Sequence, residues 1–346
     1  MEEIKRIGMD TSKHVFELHG VNGAEEPVLR KRLRRQQVAV FFEGLAPTEI
    51  GLEACGGSHH WARLLGSMGH RVRMMPPQYV KPYVKRGKND AADAEAACEA
   101  MSRPTMRFVP AKSVEQQAGL MLLGVRDRLI ATRTQLTNAI RGHAAEFGLT
   151  AAKGLAHVQP LLARIAADAT LPALVRELFA LQADELARLD QEIAAVEARH
   201  KEMHRADECS RRLAEIPGVG PVAASLFRLK TPAPELFGSG RDFAAWIGLT
   251  PKDHSTGGKT RLGVITKAGD EQLRAALVAG ATALIQHVRT GRCKSASPWL
   301  KALVARKPPK LAAVALANKT ARIAWKLMVT GERYRPAQAT PLAKAA

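Results

Sequence analysis

Four carboxylates in this chain stand where side chains of that type can do chemistry. Ile7-Gly8-Met9-Asp10-Thr11-Ser12-Lys13 ends a strand-like run on an aspartate. Ile50-Gly51-Leu52-Glu53-Ala54-Cys55-Gly56-Gly57 carries a glutamate in an otherwise apolar strand that enters a glycine turn. A charge on a strand expected to be buried is costly unless it is paired or holds a metal. Lys88-Asn89-Asp90-Ala91-Ala92-Asp93-Ala94-Glu95 then sets two aspartates three residues apart near a helix start, so that both project from one face. Singly, Asp10 would cap a turn, and Asp90 and Asp93 would serve the helix dipole. Together, Asp10, Glu53, Asp90 and Asp93 form a hard-oxygen set suited to Mg²⁺, one or two ions per site, with Mn²⁺ as a substitute. Such ions activate a nucleophile and stabilise the leaving oxygen in phosphodiester cleavage. Glu95 is the nearest spare acid and is left outside the set.

Two further motifs bear on a phosphate. Leu213-Ala214-Glu215-Ile216-Pro217-Gly218-Val219-Gly220-Pro221-Val222 has the pattern of a helix-hairpin-helix, in which Gly218 and Gly220 would expose backbone N–H groups to a phosphate without reading a base. The bland alternative is a tight turn between packed helices. Downstream, Gly248-Leu249-Thr250-Pro251-Lys252-Asp253-His254-Ser255-Thr256-Gly257-Gly258-Lys259 is followed by Arg261, Gly263 and Thr266-Lys267-Ala268-Gly269. Two adjacent hydroxyls before paired glycines, ringed by Lys252, Lys259, Arg261 and Lys267, read either as a phosphate-contacting loop or as a nucleophile whose target charge the cations offset.

The elements that must position these groups fall into distinct stretches. Short strands are expected at Lys5 to Asp10, His14 to Val21, Pro27 to Arg34, Glu49 to Ala54 and Arg71 to Met75. Helices are expected around Val38 to Leu45, Ser58 to Met68 and Asn89 to Met101, and Arg107 to Val109 could add a short strand. That order is an α/β sheet, and acids on its first strand, its fourth strand and a following helix are what a ribonuclease-H-like sheet uses to hold divalent cations. Beyond Ser113 the chain reads as long helices to about Phe147 and about Asp168. Val175, Phe179, Gln182, Leu186, Leu189, Ile193, Val196 and His200 then follow 4,3 spacing, the seam of a coiled coil or of an ordinary helix packed in its own domain. The expected organisation is 1–112, an α/β catalytic domain; 113–206, a helical, coiled-coil region; and 207–346, a mainly helical domain holding the hairpin and the serine loop.

Composition points to a polyanionic partner. With 346 residues, 52 Lys plus Arg, 33 Asp plus Glu and a net charge of +19, the chain would attract nucleic acid and release its counterions. From Pro251 onward there are 18 basic against four acidic residues, so that end is a candidate backbone-binding surface. Cys55, Cys98, Cys209 and Cys293 are far apart with no CxxC pair, which argues against a disulfide framework and a zinc finger and suits a reducing cytoplasm. No apolar leader opens the chain, and the longest weakly polar run, Ala275 to Ile285, is too short to span a bilayer, so a cytoplasmic protein at the bacterial nucleoid is expected.

The acidic motifs, IPGVG, GLTP, the Ser-Thr-Gly-Gly-Lys loop and TKAG occur in the order of one family. The sequence resembles transposases of the insertion-sequence-110 family, the RNA-guided bridge recombinases, and its loop is most similar to the insertion-sequence-1111 subgroup. The resemblance runs from about residue 4 to 335. It implies a RuvC-like N-terminal domain with a DEDD metal site at Asp10, Glu53, Asp90 and Asp93, joined by a coiled-coil region to a C-terminal transposase domain. It further implies a serine that forms a covalent link to DNA, active sites assembled between protomers of a tetramer, and a structured non-coding RNA that pairs with donor and target double-stranded DNA while the protein reads shape and backbone. Counting back from Lys267-Ala268-Gly269 places the family's serine on Ser255; counting forward from Gly248-Leu249-Thr250-Pro251 places it on Thr256. Ser255 is preferred because a primary hydroxyl is less hindered.

The reading is therefore a Mg²⁺-dependent DNA recombinase acting as a dimer or tetramer. Its alternative is a Holliday-junction-type nuclease that uses the same acids to activate water. A basic scaffold without catalysis is a third class, and it predicts that the acids are dispensable. His59 and His60, lacking a third ligand at zinc spacing, are expected to pack at a helix start. Trp246, Trp299 and Trp325 are expected as core or helix-packing residues, and the basic run Arg30 to Arg35 is either a nucleic-acid contact or a charged, protected sheet edge.

Overall fold

Alternation of apolar and polar residues through the first 75 positions produces five strands, and the glycines among them decide what covers each face. In the computed structural model, residues 3–85, 89–293 and 296–336 are described; Lys88 of the third acidic motif and the last ten residues of the expected C-terminal domain lie outside them. The chain divides into two compact units at Gln117/Ala118.

The first unit holds β1 (Arg6–Thr11), β2 (Val15–Val21), β3 (Pro27–Arg34), α1 (Arg35–Glu43), β4 (Glu49–Glu53), α2 (Ser58–Ser67), β5 (Arg71–Met75), a short α3 (Pro77–Val80) and α4 (Asp90–Ala100). The strand order is β3-β2-β1-β4-β5, with β1, β2 and β3 antiparallel and β4 and β5 parallel to β1. One sheet face presents Ile7, Met9, Phe16, Leu18, Leu33, Ile50 and Leu52, which pack with Val38 and Phe42 of α1 and Trp61 and Leu65 of α2. The opposite face carries the alternate residues, Gly8 and Asp10 on β1 and Gly51 and Glu53 on β4. Gly8 and Gly51 are register partners.

That pair of glycines sets the position of α4. A Cβ on Gly8 would lie 2.0 Å from the Ala94 carbonyl oxygen and 2.4 Å from the Cys98 nitrogen. One on Gly51 would lie 2.6 Å from Met101 Sδ and 3.1 Å from the Ala97 carbonyl oxygen. The small side chains Ala94, Ala97 and Cys98 are buried there, so α4 lies against the sheet nearly backbone to backbone. Arg6 reinforces the contact by donating to the Cys98 carbonyl at 3.1 Å and pairing with Glu25.

The second unit contains α5 (Val114–Ala145) from Ala118 onward, α6 (Val158–Ala167), α7 (Ala173–Ala206), α8 (Glu208–Leu213), α9 (Pro221–Lys230), α10 (Gly240–Trp246), β6 (Pro251–Asp253), β7 (Leu262–Ile265), α11 (Glu271–Arg289), α12 (Pro298–Arg306) and α13 (Pro309–Thr330). The 4,3 seam of α7 is filled inside the chain. Leu189 and Ile193 meet Leu129 of α5, and Phe179 and Leu186 join Ile140 of α5 and Val158, Leu161 and Ile165 of α6. Arg126–Glu197 at 2.9 Å and Arg133–Asp190 at 2.8 Å fix α5 and α7 as antiparallel neighbours. His200, the polar last position of the seam, bonds Ser225 of α9 at 3.1 Å. The core of the unit lies among α8 to α13, where Phe227, Phe243, Leu273, Leu277, Ala317 and Ala321 are buried together. No helix among the described residues is long and apolar enough to cross a membrane.

Candidate active site

The packing of α4 brings the four acids to one end of one sheet face. Asp10 and Glu53 follow Gly8 and Gly51 by two residues, so each strand turns its acid toward the same side as its glycine. Asn89 caps α4 by accepting from the Ala91 N–H at 3.1 Å, which places Asp90 and Asp93 in the first turn. Asp90 continues the helical row of Ala94 and Cys98 that rests on Gly8; Asp93 continues the row of Ala97 and Met101 that rests on Gly51. Asp90 is thereby aimed at the end of β1 and Asp93 at the end of β4.

The electrostatics agree with that assignment. Burial, and then the charges of Asp90 and Asp93, push the Asp10 carboxyl up from 3.8 to about 6. Burial, and then Asp93 and Asp10, push the Glu53 carboxyl up as well. Among the described residues no three acidic, histidine or cysteine side chains stand close enough together to hold an ion as they are placed. The acids nevertheless feel one another's charge across a shared space, and Glu53 and Asp93 line one cavity of about 270 Å³. The donor set fits a divalent cation in kind: hard oxygens, half-buried at Asp10, Glu53 and Asp93 and exposed at Asp90, whose mutual repulsion a dication would turn into attraction.

One neighbour was missed by sequence reasoning. Glu17 of β2 is the direct cross-strand partner of Asp10 and adds to the negative potential there. Arg32 of β3 holds it at 2.6 Å. The signal available was the hairpin register, since pairing Ile7 with Gly20 across the β1–β2 turn puts residues 10 and 17 opposite each other. His59 accepts from the Lys112 backbone N–H at 3.2 Å, and the His60 ring meets Trp61 edge to face.

The serine loop is the tip of a short β-hairpin. β6 and β7 pair antiparallel, with Gly257 and Gly258 both at positive φ in the turn. GLTP and TKAG clamp its base: Thr266 N–H donates to the Thr250 carbonyl at 2.8 Å and Lys267 N–H to the Gly248 carbonyl at 3.1 Å. A Cβ on Gly269 would fall 1.8 Å from the Trp246 carbonyl oxygen, which explains glycine there. Ser255 is held from both sides. Its Oγ accepts from the Arg261 N–H at 2.9 Å, and its own N–H donates to Asp253 Oδ1 at 2.9 Å. The Ser255 hydroxyl and N–H hold the Asp253 carboxyl below its ordinary range. Thr256 contributes its backbone to the turn, accepting from the Lys259 N–H at 3.0 Å. Lys252, Lys259, Arg261 and Lys267 are all exposed around this hairpin.

In the hairpin between α8 and α9, Gly218 takes φ +86° and its carbonyl lies against Gly280 of α11, where a Cβ would come within 1.9 Å. Gly220 is the N-cap of α9, ahead of Pro221 at the first helical position. The carboxylate face and the serine hairpin belong to different units.

Comparison with known proteins adds the family. A model described as "Transposase IS116/IS110/IS902 family" matches residues 210–302, and a DEDD transposase model of the IS110 group matches residues 7–147. "Putative transposase y4pF/y4sB" of Sinorhizobium fredii is 66% identical over 338 residues, 98% of this chain and 87% of that protein. "Transposase for insertion sequence element IS1111A" of Coxiella burnetii is 41% identical, covering 97% of this chain and 92% of its own length. "Transposase for insertion sequence element IS1328" of Yersinia enterocolitica is 37% identical over 333 residues, 96% of this chain and 98% of its length.

Proposed function

Because this chain belongs to the IS110 family of insertion-sequence transposases, enzymes whose substrate is DNA, we propose that Asp10, Glu53, Asp90 and Asp93 form its metal-dependent strand-cutting centre and that Ser255 is its nucleophile. The observation that supports the first half is the close approach of α4 to Gly8 and Gly51, which sets the helix turn carrying Asp90 and Asp93 beside the strand ends carrying Asp10 and Glu53. The four carboxylates would hold Mg²⁺, or Mn²⁺ in its place, and the ion would supply charge stabilisation at a scissile phosphate. Glu17 adds negative potential beside Asp10 while Arg32 keeps its carboxylate in place.

The second half rests on the hairpin. Ser255 Oγ attacks phosphorus, a phosphoserine ester forms, the bond to one DNA oxygen breaks, and that oxygen takes up a proton. Fixation by Arg261 and Asp253 limits the rotamers Ser255 must give up, which favours it over Thr256. Lys252, Lys259, Arg261 and Lys267 would offset the growing negative charge, and the backbone N–H groups near Gly218 and Gly220 would seat another phosphate. The net charge of +19 leaves surface for a guide RNA as well as for donor and target DNA. A guided enzyme at the nucleoid, working as a dimer or tetramer, is the full form of the reading. Within it, residues 1–112 cut, 113–206 brace and 207–346 attack.

The test is a denaturing gel of labelled junction DNA incubated with Mg²⁺, the element's flanking RNA and the protein. A protein-linked strand is expected with wild type and with Thr256→Ala, and none with Ser255→Ala or Asp10→Ala. Loss of the adduct with Thr256→Ala alone would move the nucleophile by one residue. Cleaved strands without an adduct in any variant, still dependent on Asp10, would replace the serine mechanism with activated water.

A further inference from the structure

The cavity beside the acids has one lip that is not acidic. Pro77, Gln78, Lys81 and Val84 line it together with Glu53 and Asp93. Pro77 and Gln78 come from α3, Lys81 from the 3₁₀ turn Lys81–Tyr83 that follows it, and Val84 from the extended residue that ends that turn. The backbone beneath them is stiff and anchored. Pro76, Pro77 and Pro82 restrict it, and Val80 is fully buried with Met75, Ala96, Ala97, Ala100 and Met101. A side chain launched from residue 81 therefore starts from a fixed point at the mouth of the site.

Lys81 is exposed, and among the described residues no ion pair engages its ammonium. Its neighbour in sequence, Lys85, is by contrast tied to Glu95 at 2.7 Å. A cation that lines a cavity with two carboxylates, yet pairs with neither, keeps its charge available for another anion. The need for one is plain: four acids, with Glu17 adding to their potential, repel a phosphodiester strand, so the strand needs a positive landing point outside the cluster.

We propose that Lys81 is the phosphate-docking residue of this centre, its ammonium taking a non-bridging oxygen of the DNA strand while Gln78 offers a neutral amide donor from the same lip. This rests on the reading of the four acids as the cutting centre. A point charge on a flexible stem suits the task, because the phosphate must be received before its final position is fixed. No part of the metal set is altered when Lys81 is changed.

The experiment uses the full chain with the labelled junction DNA and RNA described above, comparing wild type, Lys81→Ala, Lys81→Arg and Asp10→Asn. Half-saturating DNA concentration, its dependence on salt, the shift of the melting temperature by Mn²⁺, and strand cleavage are read for each. Lys81→Ala is expected to raise half-saturation about tenfold and to lower the salt slope by about one. It should keep the wild-type Mn²⁺ shift, and Lys81→Arg should recover most of the binding. Unchanged half-saturation and slope in Lys81→Ala would overturn the proposal, as would loss of the Mn²⁺ shift in that variant, which would make Lys81 a support of the acids instead. Wild-type cleavage by Asp10→Asn would overturn the reading of the acids themselves, and the docking role with it.

Discussion

Asp10→Asn is expected to make the protein more stable and to abolish strand cleavage. Burial, Asp90 and Asp93 hold the Asp10 carboxyl at about 6, above its ordinary 3.8. A folded state that binds this proton more tightly than the unfolded chain loses stability as pH rises through the interval between those values. Below about pH 4 there is no penalty, and above about pH 6 it is complete. For a half-buried group partly screened by solvent it amounts to roughly 1–2 kcal/mol. Asparagine, nearly the same in shape, carries no such penalty. Urea melts in the presence of a chelator should therefore coincide for wild type and variant at about pH 3.5 and separate in favour of the variant at about pH 7.5. Adding Mn²⁺ should raise wild type more than the variant. Cleavage should fall by about 10³-fold or more, several kcal/mol of charge stabilisation at a tenfold rate for each 1.36 kcal/mol. An ordinary structural acid would show the reverse, since removing it would cost stability and spare the chemistry. A variant that is less stable at pH 7.5 and still cuts would end the metal-site reading.

Much of the first unit was legible because its elements depend on local pattern. The five strands and the helices at residues 35–43, 58–67 and 90–100 lie within a few residues of where alternation and helical spacing put them. The acids stood out because Asp10 and Glu53 interrupt apolar strands, a cost that asks for a reason. What was not legible was the depth of α4. Nothing local in Gly8 or Gly51 says that a helix carbonyl will pass over them; that follows only from the parallel pairing of β1 with β4 across some 40 residues. Glu17 was hidden for the same reason, being a neighbour of Asp10 only in register. The β6–β7 hairpin escaped because its strands are three and four residues long and almost wholly exposed, so no burial pattern marks them. In α7 the seam was visible but its partner was not: the same 4,3 spacing serves a second copy or, as here, the chain's own α5 and α6.

The depth of α4 carries the second large effect. Gly8→Ala adds one methyl group on the sheet face where the backbone of α4 already stands, 2.0 Å from the Ala94 carbonyl oxygen and 2.4 Å from the Cys98 nitrogen. Backbone atoms cannot rotate out of the way as the end of a long side chain can, so the helix must lift. Overpacking of this kind costs about 3 kcal/mol, at the upper end of its usual range. Because Asp90 and Asp93 ride on the first turn of α4, lifting it moves both acids away from Asp10 and Glu53 together. The variant should therefore lose thermal stability, lose the stabilisation that Mn²⁺ gives wild type, and lose cleavage, while the Ser255 hairpin in the other unit is unaltered. Gly66→Ala is the comparison. Gly66 lies in α2 with nothing within 4 Å of an added Cβ, and replacing a helical glycine at such a site should stabilise by about 0.5–1 kcal/mol with no effect on cleavage. If Gly8→Ala melted like wild type and cut DNA at the wild-type rate, α4 would not be held where it is by the missing side chain. The convergence of the four acids would then need another cause.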